Sequence, residues 1–174
     1  MKKWRWFAFL MVLLVSQVCE AGISSEEDMA IGGIGLGATM AYTESIYGKP
    51  TSVQDVPYKS LKDGKVYKEI ICKYGEAYSV KYIYGNRQSA IVELYSRDAS
   101  LGTPDGVVVG MDASVLTNLY GRADRINLQG EDTVFEYHLG RERLIFNVYQ
   151  GRIKLLHLCY LDSSTPEQAL ESDS

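Results

Sequence analysis

IGLGATMAYTESIYGKP (residues 34–50) and VVVGMDASVLTNLYGRA (residues 107–123) are two renderings of one pattern. Glycine recurs at Gly37 and Gly110 and again at Gly48 and Gly121, and tyrosine at Tyr47 and Tyr120. Apolar residues recur at Ile34 and Val107, Leu36 and Val109, Ile46 and Leu119, Val53 and Ile126. Agreement at a fixed spacing without a gap marks a duplicated structural unit. Thr39 and Asp112 stand where a side-chain oxygen can accept from the free N–H groups of a first helical turn. Gly48 and Gly121 stand where a helix closes in a left-handed residue. Between these stops Val115, Leu116, Leu119 and Tyr120 share one helical face, as do Tyr42, Ile46 and Tyr47. Each unit therefore opens with a helix of about two turns lying on something apolar.

Downstream of each helix the apolar period falls to two. Turn dipeptides separate four strand-like runs in each unit: Asp63-Gly64, Gly75-Glu76 and Gly85-Asn86 in the first, Gln129-Gly130, Gly140-Arg141 and Gln150-Gly151 in the second. Alternation puts Phe135, Tyr137 and Leu139 on one side, with Leu144, Phe146 and Val148, and Leu156 and Leu158. Tyr78, Val80 and Tyr82, with Val92 and Leu94, take the same side in the first unit. The expected fold class is α+β, a tandem repeat of two αββββ units over residues 31–98 and 99–162, each a short helix packed on a four-stranded antiparallel meander. The two units are expected to share one body, because each alone is near the lower size limit for a self-sufficient core.

The segments Gly37-Ala38-Thr39 and Tyr47-Gly48-Lys49-Pro50 resemble the "Gly-Met-Thr, helix, Leu-Gly-x-Pro" signature of the BamE-like (SmpA/OmlA) envelope proteins. Gly110-Met111-Asp112 with Tyr120-Gly121 is a second instance, having Ala123 where that family has proline. Two such units in one chain look like the tandem arrangement of β-lactamase inhibitory protein. The resemblance implies a fold whose members bind other proteins through a sheet surface or loops and catalyse nothing. It transfers no functional residue, because the shared motif is a helix start and stop.

The ends bound the rest. Lys2, Lys3 and Arg5 precede an unbroken apolar run from Phe7 to Val15, and Cys19-Glu20-Ala21 places smallish residues at the positions a signal peptidase reads. Residues 1–21 read as a cleavable secretory signal, with 22–30 a flexible lead-in and 163–174 a polar, disordered tail. Lipidation of Cys19 is disfavoured by Val18 and Gln17 before it. No later stretch approaches the roughly 20 apolar residues of a membrane helix. The net charge of −4, carried without a basic cluster, argues against a nucleic-acid partner. Cys72 and Cys159 remain after processing, and strand phase points them to different faces, against a bridge that an oxidising compartment would otherwise favour.

No catalytic or cofactor motif stands out. Gly32 to Gly37 fits neither a dinucleotide nor a phosphate-loop spacing and reads as a flexible lead-in. His138 and His157 lie opposite Phe135 and Phe146 on strands separated by another, roughly 10 Å apart and too far for one zinc ion. The pairs Glu26-Glu27 and Glu131-Asp132 read as solvated charges. No cofactor, no metal and no enzymatic activity are expected. The 13 tyrosines are the compositional oddity, since tyrosine is enriched where proteins meet.

The alternation that defines the covered side sends Glu136, His138, Asn147, Tyr149 and His157 to the other, and Lys81, Ile83, Glu93 and Tyr95 with them. The expected function is an exported, non-catalytic interaction module that binds a protein partner through this open sheet face. Lys81, Tyr95, His138, Asn147, Tyr149 and His157 are the candidate contacts. The alternatives are a small-molecule site in a cleft between the two repeats, or an enzyme without a recognisable motif. Oligomeric state and the identity of the partner are not legible.

Overall fold

A computed structural model describes residues 22–59, 66–85 and 88–161. The expected secretory signal and C-terminal tail lie outside the described residues, as do Asp63-Gly64 and Asn86. The elements in chain order are a single 3-10 turn (Glu26–Asp28), β1 (Ala30–Ile31), β2 (Ile34–Gly35), α1 (Met40–Tyr47), β3 (Ser52–Lys59), β4 (Val66–Tyr74), β5 (Tyr78–Gly85) and β6 (Gln88–Ser96). After these come α2 (Ser114–Tyr120), β7 (Arg125–Gln129), β8 (Asp132–Leu139), β9 (Glu142–Tyr149) and β10 (Arg152–Tyr160).

Strand pairing corrects the expected α+β tandem of αββββ units. The chain is mostly β: eight strands form one antiparallel sheet in the order β3-β4-β5-β6-β10-β9-β8-β7, β1 and β2 form a separate two-stranded sheet, and two short helices complete the described residues. The reason lies in β6 and β10. They pair directly, Leu94 opposite Leu158 and Tyr95 opposite His157, so hydrogen bonding runs unbroken through the middle of the sheet. No cleft separates two halves there. Local periodicity carries no information about which strands become neighbours across a long sequence separation, and that pairing decides the architecture.

One side of the sheet bears the main core. Cys72, Tyr78, Val80, Tyr82, Ile91, Leu94, Tyr137, Leu144, Phe146, Leu156 and Leu158 meet Leu116 and Tyr120 of α2, with Met40 and Tyr47 of α1 packed alongside. Neither helix is long enough to persist without such packing. Thr39 caps α1 as expected, its Oγ1 accepting from the Tyr42 backbone N–H at 3.2 Å. The face that α1 buries differs from the reading: Thr43 is fully buried, whereas Tyr42 and Ile46 are about half exposed. The small Thr43 side chain returns its hydroxyl to the Thr39 carbonyl at 3.2 Å and so satisfies itself inside.

Two bulges also shift the reading. Between β5 and β6 the register steps from Lys81 opposite Glu93 to Tyr82 opposite Ile91, leaving Val92 as the extra residue. Ile91 therefore takes the core position assigned by simple alternation to Val92. A similar step between Ile153 and Leu155 on β10 puts Ile153 into the core.

The glycine-rich run expected to be a flexible lead-in is instead central. Met29, Ile31 and Ile34 are fully buried. The Tyr78 hydroxyl donates to the Ile31 carbonyl at 3.1 Å, the Gly32 N–H to Gly102 at 2.8 Å and the Gly37 N–H to Ile91 at 2.9 Å. Gly32 suits its φ of +62°, and a Cβ there would also press on the Tyr47 hydroxyl.

Two outcomes follow. Ile34→Ala is expected to cost about 2–5 kcal/mol in urea unfolding, as a fully buried side chain should, and Leu128→Ala, 80 % exposed, less than about 0.5 kcal/mol. Equal costs would show the β1–β2 segment to be peripheral. Gly48 ends α1 at φ +74° and ψ −162°, a region held essentially by glycine alone, while open space surrounds its missing Cβ. Gly48→Val is therefore expected to cost about 1–3 kcal/mol through backbone strain only, with no change of fold by circular dichroism.

Candidate functional site

Every described helix, hairpin and long connection adds to the core on one side of the sheet. The other side has no described helix packed on it, and its central strands carry a band of polar side chains set by register. Lys81 on β5 stands opposite Glu93 on β6, Glu93 opposite Cys159 on β10, Cys159 opposite Arg143 on β9, and Arg143 opposite His138 on β8. One step along the strands, Tyr95, His157, Ile145 and Glu136 form a parallel row.

Glu93 is the hub of the first half. Its side chain is 10 % exposed, and it receives the Lys81 ammonium, the Tyr95 hydroxyl and, at 2.9 Å, Nε2 of His157. The Tyr95 and His157 rings stack with centroids 4.2 Å apart and planes 14° from parallel. Burial by itself would raise the Glu93 carboxyl, but the hydrogen bonds from His157, Lys81 and Tyr95 outweigh it and hold the group at about 2. Burial likewise opposes charge on His157, yet its bonds to Cys159 and Glu93 leave its pKa raised. The Tyr95 phenol is pushed up by burial and by Glu93.

The second half centres on Glu136, whose side chain is 8 % exposed. Asn127 donates to Oε1 at 3.0 Å, while Oε2 lies 3.5 Å from His138 Nε2 and 3.8 Å from an Arg143 Nη1. Arg143 joins the halves, since its other terminal nitrogen donates to Cys159 Sγ at 3.4 Å. Arg143 Nε and Glu136 Oε2 are buried with no hydrogen-bond partner among the described residues. Two carboxylates are tolerable under a single layer because each faces cations or donors on its neighbouring strands.

The expected contact residues all stand on this side, in three groups. Lys81, Tyr95 and His157 converge on Glu93, and His138 joins Glu136. Tyr149 and Asn147 lie further along β9. Tyr149 is 37 % exposed, with the Lys154 ammonium 5.5 Å from its ring centre and Gln150 donating to its hydroxyl at 3.2 Å. Lys154 also pairs with Asp132 at 2.5 Å.

Glu93, Glu136 and Ile83, placed outward by alternation, do lie on this side, but they are buried. Glu93, Glu136, Arg143 and Cys159 are the members that sequence reasoning did not select. Cys159 carried a readable signal, for it stands two residues from His157 and so shares its face. The pairing of β6 with β10, which brings Glu93 to both, has no local signature. Cys72 and Cys159 are both free, on opposite sides of the sheet. Among the described residues no group of three or more His, Cys, Asp or Glu side chains is arranged to hold a metal ion. A depression of about 270 Å³ beside Tyr95 is lined in part by Lys73, Ser79, Arg97 and Leu155.

The depressed Glu93 value fixes a pH dependence. A carboxyl lower in the folded than in the unfolded chain contributes stability that is complete above about pH 4.5 and is lost as the pH falls toward 2. The full contribution is on the order of 3 kcal/mol. His157 acts oppositely: its contribution is complete below 6.5 and is lost as the pH rises through its raised folded value. Melting temperatures measured between pH 4.5 and 2 are expected to fall less steeply for Glu93→Gln than for the parent chain. Equal slopes would remove Glu93 from the acid transition.

No protein-family model matches the chain, and neither does any curated protein. Three solved structures share features of its backbone. A cysteine-rich secretory protein from Staphylococcus aureus aligns with a TM-score of 0.52 at 10 % identity, covering 87 % of this chain and 52 % of that one. A DUF4309 family protein from Bacillus subtilis aligns at 0.40 and 15 % identity over 71 % of this chain and 78 % of that one. An extracellular protein containing an SCP domain from Bacillus anthracis aligns at 0.43 and 10 % identity, over 79 % and 46 %. The chain thus spans about half the length of the secretory and extracellular proteins it resembles, and with the first of these it shares a fold.

Proposed function

We propose that the chain is an exported, non-catalytic interaction module that docks a protein partner on the uncovered face of its eight-stranded sheet. The observation that carries this reading is the band from Lys81 to His138, which is held in place before any partner arrives. Tyr95 is stacked and hydrogen-bonded, Glu93 takes three donors, and Arg143 spans Cys159 and Glu136. Side chains already fixed lose little conformational entropy on docking, so more of the contact energy becomes affinity. Aromatic and arginine side chains amid polar groups are also the composition of recognition surfaces. Export rests on the charge and apolar pattern of residues 1–21. A cleft between two repeats is not part of this reading, since β6 and β10 are bonded neighbours where it was expected.

The experiment places a photo-crosslinking amino acid at Tyr149 on this face and, separately, at Tyr42, which is 51 % exposed on α1. In the native culture a single partner band is expected from position 149 and none from 42. Tyr149→Ala combined with Lys154→Ala should weaken the captured complex by about tenfold, or 1.4 kcal/mol, with an unchanged melting temperature. Crosslinking from position 42 alone would move the docking surface to the helix side.

A further inference from the structure

On the uncovered face a thiol, an imidazole and a carboxylate stand in sequence. Cys159 and His157 are two residues apart on β10 and project to the same side, which sets the imidazole beside the thiol. Glu93, directly across from Cys159, holds the far side of that imidazole through Nε2 at 2.9 Å. Tyr95 stacks on the ring and fixes its plane. On the opposite flank Arg143 donates to the sulfur at 3.4 Å. A nucleophile in reach of a base that a third group orients is the arrangement that activates thiols. Nothing in the fold requires it, for an apolar side chain at 159 would pack against Val134 and Ile145 equally well.

We infer that Cys159, with His157 as its base and Glu93 orienting that base, is a thiol-exchange site that accepts small disulfides and becomes modified as a mixed disulfide. The Cys159 sulfur attacks one sulfur of the incoming disulfide, and the new sulfur–sulfur bond forms as the old one breaks. The thiol proton passes to His157 and then to the departing thiolate, which leaves as a free thiol. Cys159 is oxidised and the leaving sulfur reduced, so no other oxidant is needed. Arg143, whose Nε has no hydrogen-bond partner among the described residues, offers a further donor to an anionic disulfide. The thiol is fully buried, so the proposed exchange includes an opening movement in which the Arg143 side chain, 22 % exposed and donating to the sulfur, turns aside. Burial opposes ionisation of Cys159, but the hydrogen bond and charge of His157, with Arg143, outweigh it and draw the thiol below its ordinary value.

Cys72 is the internal control. It is equally buried, on the other side of the sheet, and burial followed by the charges of Glu44 and Asp55 pushes its thiol up. The purified full chain is treated with oxidised glutathione at pH 7 and quenched with an alkylating agent, and peptide mapping reads Cys159 and Cys72 separately. Cys159 is expected to form its mixed disulfide at least about tenfold faster than Cys72. His157→Gln should slow Cys159 by about tenfold and leave Cys72 unchanged. Equal rates at the two cysteines in the parent chain, or modification of Cys159 only in unfolding concentrations of urea, would overturn the inference whatever the variant does. These readouts involve no partner, so the exchange site and the docking face stand or fall separately.

Discussion

The register between β6 and β10 is the constraint on which the rest of this structure depends. Leu94 opposite Leu158 continues the core from one half of the sheet to the other, and on the reverse side Glu93 meets Cys159 and Tyr95 meets His157. A slip of one residue would drive His157 and Cys159 into the apolar core and Leu158 out of it. Core and polar band therefore enforce the same alignment from opposite sides. The charged residues are tolerated under one layer of side chains only because that alignment supplies each carboxylate with donors.

Local features were legible in the sequence. Thr39 announces the first helix and Gly48 its end, and the alternation through Phe135, Leu144, Phe146 and Leu158 separates the two sides of the sheet, putting Lys81, Tyr95, His138, Tyr149 and His157 together on one. What could not be read has two causes. The junction of β6 with β10 and the burial of Glu93 arise from contacts between residues far apart in sequence, which no window of ten or twenty residues contains, whereas the bulges at Val92 and Lys154 lie within hairpins and insert a residue that simple alternation does not register. The duplicated pattern suggested two αββββ units sharing one body, each with its own sheet, whereas the strands that follow each helix belong to one sheet. The glycines before α1 suggested mobility, but Gly32 answers to the closeness of Tyr47 and leads a segment that fills the core.

The tyrosines divide by role in a way that composition hides. Tyr47 meets Tyr74 and Tyr78 with centroids 5.6 and 5.2 Å away beneath α1, and Tyr120 meets Tyr137 and Phe146 at 5.3 and 5.7 Å beneath α2. Each short helix is thus anchored at its last turn by a ring set among two others, which substitutes for the length it lacks. Tyr95 and Tyr149 belong to the other side and to other purposes, one ordering a buried carboxylate and the other exposed beside a lysine.

The position of β10 in the middle of the sheet, although it is the last of the described strands, bears on the order in which this sheet can be assembled. During synthesis β3 to β6 can pair as a meander while β6 still presents an unfilled inner edge, and Glu93 waits beside it with neither His157 nor Cys159 yet made. Closing that edge requires contacts between residues such as Leu94 and Leu158, long separated along the chain, which places the step among the slow ones of folding. Until it occurs the nascent chain carries an open strand edge, a feature prone to misassociation. The final strand acts as a keystone, and a chain cut short before it would lack the middle of its sheet and not merely one side of it.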